Sequence, residues 1–227
     1  TCSFTVTVVD DEAPTITCPT GSPFSRFTDD PLCAYTTVGT EFDPTAMDNC
    51  PLTVVVSNDF NGMATLAGAN IPQGSTTIIW TVTSGLLSAT CSITIDVADD
   101  DPPTFTCPGP QTAFTNGNVN CEANVPNLAA LVTDEADNCG TAIVTQSTAA
   151  GTAITVTDGQ VINYTVTVTD GAGNTTTCTV DVTYEDDDAP TFTCPPAQTA
   201  YTSGNPGCEA NVPDLAILVV DELDNCS

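Results

Sequence analysis

An all-β chain of tandem antiparallel β-sandwiches is what this sequence predicts, and three observations carry the prediction. The first is self-similarity. Asp11-Glu12-Ala13-Pro14-Thr15-Ile16-Thr17-Cys18-Pro19 returns as Asp100-Asp101-Pro102-Pro103-Thr104-Phe105-Thr106-Cys107-Pro108. It returns again as Asp187-Asp188-Ala189-Pro190-Thr191-Phe192-Thr193-Cys194-Pro195. The step from Cys18 to Cys107 is 89 residues and that from Cys107 to Cys194 is 87. The second is a period of two: Cys178, Val180, Val182 and Tyr184 share one face, while Thr179, Asp181 and Thr183 share the other. Half-buried strands read this way, and threonine supplies β-branching on a wet face without exposing apolar surface. The third is frequent turn chemistry, as in Ile71-Pro72-Gln73-Gly74 and Asp170-Gly171-Ala172-Gly173-Asn174. About seven short strands in a unit of this size make a two-sheet immunoglobulin-like sandwich.

The elements follow in order. Thr1-Cys2-Ser3-Phe4-Thr5-Val6 matches the closing strands that open at Cys91 and Cys178, so residues 1–10 read as the last strand of a preceding repeat. Residues 11–98 and 99–185 are whole repeats, and 186–227 is the first half of another; the chain reads as a piece of something longer. Pro126-Asn127-Leu128-Ala129-Ala130-Leu131-Val132, echoed by Pro213 to Val219, predicts one short helical turn per repeat, because Pro suits a first helical position and Leu and Ala favour helix. The sandwiches are joined end to end by short acidic linkers that finish in Pro: Asp10 to Pro14, Asp99 to Pro103 and Glu185 to Pro190. Pro fixes φ and biases its neighbour toward extended geometry, so stiff joints are expected.

Composition narrows the function. The chain has one basic side chain, Arg26, against 29 acids, a formal charge of −28, and no His. Triads that need imidazole, phosphate-binding lysine loops and Schiff-base chemistry are excluded, and so is nucleic-acid binding by phosphate neutralisation. No apolar run reaches the length of a membrane-spanning helix, so no membrane insertion is expected. Twelve Cys with no Cys-x-x-Cys pair point to disulfides in an oxidising place, extracellular or at a cell surface. Trp80 lies within an apolar strand pattern and reads as a core anchor, and Arg26 as a surface charge.

The acidic linker with Pro and Cys-Pro at Asp100 to Pro108, the pair Asp137-Asn138, the turn Asp170 to Asn174 and the strand-opening Cys178 together resemble the hyalin repeat family. These are extracellular immunoglobulin-like modules. The extra Cys pair in each repeat is similar to the four-Cys versions found in tandem in very large bacterial surface proteins. The resemblance spans the chain, although the first repeat reads Ser84-Gly85-Leu86-Leu87-Ser88 where the acidic turn belongs. It implies a role in adhesion or spacing, and no catalytic activity.

Four Cys per repeat permit three connectivities. In such a sandwich the first and last strands run in the same direction, so Cys18–Cys91 and Cys107–Cys178 are expected near one pole. The remaining pairs are then Cys33–Cys50, Cys121–Cys139 and Cys208–Cys226. Cys2 and Cys194 are left as halves of long bridges. Their partners lie either in further repeats of the same chain or in other chains.

Acidic groups also suggest a cation. Calcium takes six to eight oxygen ligands from Asp, Asn and carbonyls. Before the second repeat, three elements converge on one expected pole: the linker Asp99, Asp100 and Asp101, the loop with Asp134, Asp137 and Asn138, and the turn with Asp170 and Asn174. A bound Ca²⁺ there would stiffen the joint, whereas simply solvated acids would keep the rod soluble. Before the first repeat, Asp10, Asp11, Glu12, Asp48 and Asn49 remain but Ser84 and Ser88 replace the turn acids, so a weaker or empty site is expected. The function expected is a structural segment of an extracellular rod or filament at a bacterial cell surface. Its partners would be other repeats of the same chain or identical chains. Two alternatives are an adhesin stalk with glycan- or partner-binding loops, for which residues 52–75 and 140–160 diverge most, and an accessory module of a secreted enzyme.

Overall fold

The computed structural model describes all residues except 1, 51–52, 118–119, 203, 205–206, 208, 211, 213, 225 and 227. The regular structure is nearly all strand, and the chain's contacts group it into two compact units. The first unit holds residues 1–104, 136–143 and 169–175; the second holds 105–135, 144–168 and 176–227.

In the first unit one sheet has four strands, in the order Phe24–Phe27, Leu87–Ala98, Gly74–Ser84 and Val54–Asn58. The long hairpin is antiparallel, with Trp80 opposite Cys91. The edge strand Phe24–Phe27 pairs in parallel with Leu87–Ala98, because the opening and closing segments of a repeat run in the same direction. Two short antiparallel pairs, Thr15–Thr17 with Thr45–Met47 and Ala34–Thr36 with Asn70–Pro72, lie across the core. The strands' inward faces bury Ile78, Trp80, Ile93 and Ile95 against Phe42 and Leu66. Trp80 is fully buried, and a side chain of that size contributes about 3–5 kcal/mol when truncation to Ala is the measure. Arg26 lies over the rings of Phe42 at 5.0 Å and Tyr35 at 5.5 Å while pairing with Glu41 at 2.8 Å.

The second unit repeats the plan, with a four-stranded sheet ordered Gln111–Phe114, Thr175–Glu185, Gln160–Thr169 and Ile143–Gln146. Gln111–Phe114 is again parallel to the closing strand. Its core includes Tyr164 and Tyr184, whose hydroxyls meet at 2.8 Å. The helical turns predicted near Leu128 and Leu215 are one-turn 3₁₀ helices, Ala129–Leu131 and Ala216–Leu218. The first repeat has no such turn among the described residues. The corresponding stretch, Thr37 to Asp43, lacks the Pro-x-Leu-Ala run and places Phe42 in the core instead. Residues 2–10 pair with no strand among the described residues, and Phe4 and Val8 are left exposed.

Cys18 is bonded to Cys91 and Cys107 to Cys178. The other two bonds correct the expected pairing. Cys33 is bonded to Cys139 and not to Cys50, and Cys121 to Cys226 and not to Cys139. Cys226 is thereby unavailable to Cys208, which itself lies outside the described residues. The reason is strand direction. Thr28 N–H donates to Ala98 O and Gln73 N–H to Cys33 O, so Cys33 sits at the closing end of its repeat. Cys50 follows a strand in which Met47 is opposite Thr15, so it sits at the opening end. A disulfide spans only a few ångströms and cannot join opposite poles. The thiol at the closing end of one repeat instead meets the thiol at the opening end of the next. Cys2, Cys50 and Cys194 are the free cysteines among the described residues.

Candidate metal centre

The periodicity of two strands builds the centre. Ile93, Ile95 and Val97 are buried on alternate positions, and the next position on that face is Asp99, which is 8% exposed. Tyr164, Val166 and Val168 are buried in the same way, and the next position is Asp170, 7% exposed. Two apolar faces therefore end in carboxylates. The loop carrying Asp137 brings a third. Asp99, Asp137 and Asp170 each offer an oxygen, and these oxygens lie within 4.8 Å of one another. Oxygens on opposite sides of one calcium ion are separated by about 4.8 Å, twice the Ca–O distance of about 2.4 Å, so the three fit a shared ion. All three belong to the first unit, although in the sequence they lie in the second repeat, 99–185.

A hydrogen-bond frame holds these carboxylates. Thr28, itself buried, donates Oγ1 to Asp99 Oδ1 at 3.3 Å, and Asp101 N–H donates to the same oxygen at 3.2 Å. Cys139 N–H donates to Asp137 Oδ2 at 2.9 Å. Asn138 Nδ2 donates to Asp101 Oδ2 at 2.8 Å and to Leu32 O at 3.3 Å. Asn174 Nδ2 donates to Asp170 Oδ2 at 2.9 Å and to Asp99 O at 3.2 Å, tying the turn to the linker. Asp137 Oδ1 and Asn138 Oδ1 are buried with no hydrogen-bond partner. Buried polar atoms are normally paired, so such orphans need a reason. An open cleft of about 390 Å³, lined by Asp30, Pro31, Asp101, Pro102, Asp137 and Asn138 among others, adjoins them.

The electrostatics divide the carboxylates. Burial first, and then the charges of Asp137 and Asp170, hold the Asp99 carboxyl above its ordinary range, against the opposing hydrogen bonds from Asp101 N–H and Thr28. Burial pushes Asp170 the same way, but the side chain and N–H of Asn174 with the N–H groups of Gly173 and Ala172 outweigh it and leave Asp170 below its ordinary range. No protein cation relieves the cluster, since the only basic side chain is committed to Glu41.

Of the eight residues expected to bind the ion, Asp99, Asp137 and Asp170 converge, and Asp101, Asn138 and Asn174 form the frame. Asp100 is exposed. Asp134 is drawn away: it is exposed, has φ 56°, and accepts from Thr106 Oγ1 at 2.9 Å and Thr133 Oγ1 at 3.2 Å. Thr28 was missed, since nothing in its sequence neighbourhood sets it apart from the many other threonines. A second cluster, of a different kind, lies earlier in the chain, where Asp10, Asp48 and Cys50 also place ligand atoms within 4.8 Å of one another. The Cys50 thiol is held above its ordinary range by burial and then by Asp10, Asp48 and Glu12.

No family model and no curated protein matches the sequence. Solved structures do. Repeats EC22-24 of mouse cadherin-23 match with a TM-score of 0.38 and 13% identity, covering 78% of this chain and 65% of that one. Repeats EC1-4 of Drosophila N-cadherin match with 0.41 and 15%, covering 77% and 50%. The titin domains z1z2, solved in complex with telethonin, match with 0.34 and 16%, covering 79% and 100%. The chain thus spans between half and about two thirds of the two cadherin fragments.

Proposed function

We propose that this chain is a non-catalytic structural segment of an extracellular tandem-repeat rod or filament at a bacterial cell surface, and that it binds Ca²⁺ through Asp99, Asp137 and Asp170. The Cys33–Cys139 bond carries the reading, because it joins consecutive repeats covalently beside the carboxylate cluster. A chain built to hold successive repeats together has a use for both devices. The resemblance to hyalin repeats and the charge of −28 support the same reading. At that charge, copies repel at low salt over a Debye length of about 10 Å at 0.1 M, so lateral association would need divalent cations, high salt or low pH. The three carboxylates would hold the ion through oxygen, and Asn138 and Asn174 would orient them.

The test is thermal unfolding of the full chain in chelator and in millimolar CaCl₂, with electron microscopy of the native material. A calcium-dependent rise in melting temperature that Asp170→Ser, Asn174→Ser removes, together with filaments, supports the reading. No calcium effect on the parent rejects the cation, and amorphous or monomeric native material rejects the filament.

A second reading, an adhesin stalk, is favoured by the loop after Val54–Asn58. Asn58 is buried and donates to Met63 O at 2.9 Å, while its Oδ1 accepts from the N–H groups of Phe60 and Asn61, so the loop presents Phe60 and Met63 on a fixed frame. Retention on a glycan array that Phe60→Ala abolishes would favour it.

A further inference from the structure

The first repeat carries the same frame as the centre described above, one repeat earlier. Asp10 takes the place of Asp99, and Glu12 N–H donates to Asp10 Oδ1 at 3.3 Å as Asp101 N–H does to Asp99. Asp48 takes the place of Asp137, and Cys50 N–H donates to Asp48 Oδ1 at 2.8 Å as Cys139 N–H does to Asp137. Asn49 Nδ2 donates to Glu12 Oε2 at 2.7 Å as Asn138 does to Asp101. By strand parity the third corner falls to Ser84. It follows the buried face of Ile78, Trp80 and Val82 as Asp170 follows Tyr164, Val166 and Val168.

Ser84 is 1% exposed and its Oγ has no partner; Asp10 Oδ2 and Asp48 Oδ2 are also buried and unpartnered. A buried hydroxyl that makes no hydrogen bond loses its hydration with nothing in return. Three orphaned oxygens at the three ligand positions share one explanation. We infer that Asp10, Asp48 and the Ser84 hydroxyl form a second, weaker calcium site in the first repeat. It rests on the calcium reading proposed above and deepens it. The oxygens suit a hard cation, with the thiol of Cys50 standing by as a poor ligand for it. Replacing the Asp170 carboxylate by a hydroxyl removes one negative charge from the set, and ligand charge is one of the quantities that tunes calcium affinity. The array would then hold ions of graded affinity, set by one residue per repeat.

The experiment is isothermal titration of the chelator-stripped full chain with CaCl₂. Two equivalents are expected, separated by roughly tenfold or more in affinity. Asp137→Asn should remove the tight one and leave the weak one. Asp48→Asn should do the reverse, and Ser84→Asp should tighten the weak equivalent by roughly tenfold. A conservative Ser84→Ala variant, which adds no charge, should weaken it while leaving circular dichroism unchanged. A single equivalent that Asp137→Asn abolishes overturns this inference and leaves the proposed function standing. No binding at all in the parent overturns both. A weak equivalent indifferent to Asp48→Asn and to both Ser84 variants overturns the assignment of its ligands.

Discussion

Asn138 donates its side-chain amide to the backbone carbonyl of Leu32 at 3.3 Å, and the residue following each of them, Cys139 and Cys33, completes a disulfide. The bond and the hydrogen bond fix one loop, and that loop supplies Asp137 to the carboxylate cluster.

The pairing is directly accessible. Non-reducing digestion at acidic residues, followed by mass spectrometry, should yield a peptide joining Cys33 to Cys139 and another joining Cys121 to Cys226. A Cys33–Cys50 peptide would contradict the structure.

Because the disulfide orders the loop that carries Asp137, it and the ion should stabilise one another reciprocally. The double variant Cys33→Ser, Cys139→Ser should bind calcium roughly tenfold more weakly, a coupling of about 1.4 kcal/mol. It should also unfold more readily in chelator, by about 3–5 kcal/mol on a loop-entropy view. Equal calcium affinity with and without the bond would separate the two devices.

Protonation of Asp99 and Asp170 should act with opposite signs. The folded-state value of Asp99 is raised, so its contribution to stability is full below the ordinary carboxylate range and is lost as pH rises through the folded value. Asp170 is lowered, so its contribution is present above the ordinary range and is lost as pH falls through the folded value. In chelator at neutral pH, Asp99→Asn should therefore raise the melting temperature and Asp170→Asn should lower it. In saturating calcium both should lower it. Melting curves from pH 3 to pH 8 decide; a stabilising Asp99→Asn in calcium would argue against ligation.

The Tyr164–Tyr184 pair offers a test of the second core. Tyr184→Phe leaves a buried hydroxyl on Tyr164 without its partner and should cost about 1–3 kcal/mol. Removing both hydroxyls should recover much of that loss. Urea unfolding of the two variants measures it, and a double variant worse than the single would exclude this account.

Arg26 should matter through packing as much as charge. It covers Phe42 and Tyr35 and pairs with Glu41, whose carboxyl burial pushes up but the Arg26 guanidinium, the Val38 N–H and the Tyr35 hydroxyl hold below its ordinary range. Arg26→Ala should destabilise by about 1–2 kcal/mol, with the larger part surviving in high salt. Chemical unfolding at low and high ionic strength checks both statements.

The strands, their buried faces and the position of Trp80 were legible in the sequence, because a period of two is a local property of an extended backbone and needs no knowledge of neighbours. The same parity already contained Asp99 and Asp170: each continues an apolar face by one more step, and carrying the alternation past the last hydrophobic residue would have marked them as inward-facing. The convergence of Asp137 on them was readable only as an expectation from three acidic elements at one pole. The partners of Cys33 and Cys121 were not legible at all. Assigning the long bridges left Cys33 and Cys121 to the remaining thiols of their own repeats, but pairing depends on which pole each strand end occupies, and that is settled by the direction in which Ala34–Thr36 and Thr45–Met47 cross the sandwich. Asp134 failed for a similar reason: with φ of 56°, its carboxylate is taken by the hydroxyl of its neighbour Thr133 and by that of Thr106, a tertiary hydrogen bond from 28 residues away in the chain. Composition and period determined the kind of chain this is, while the placement of strand ends in space decided which sulfurs and which oxygens meet.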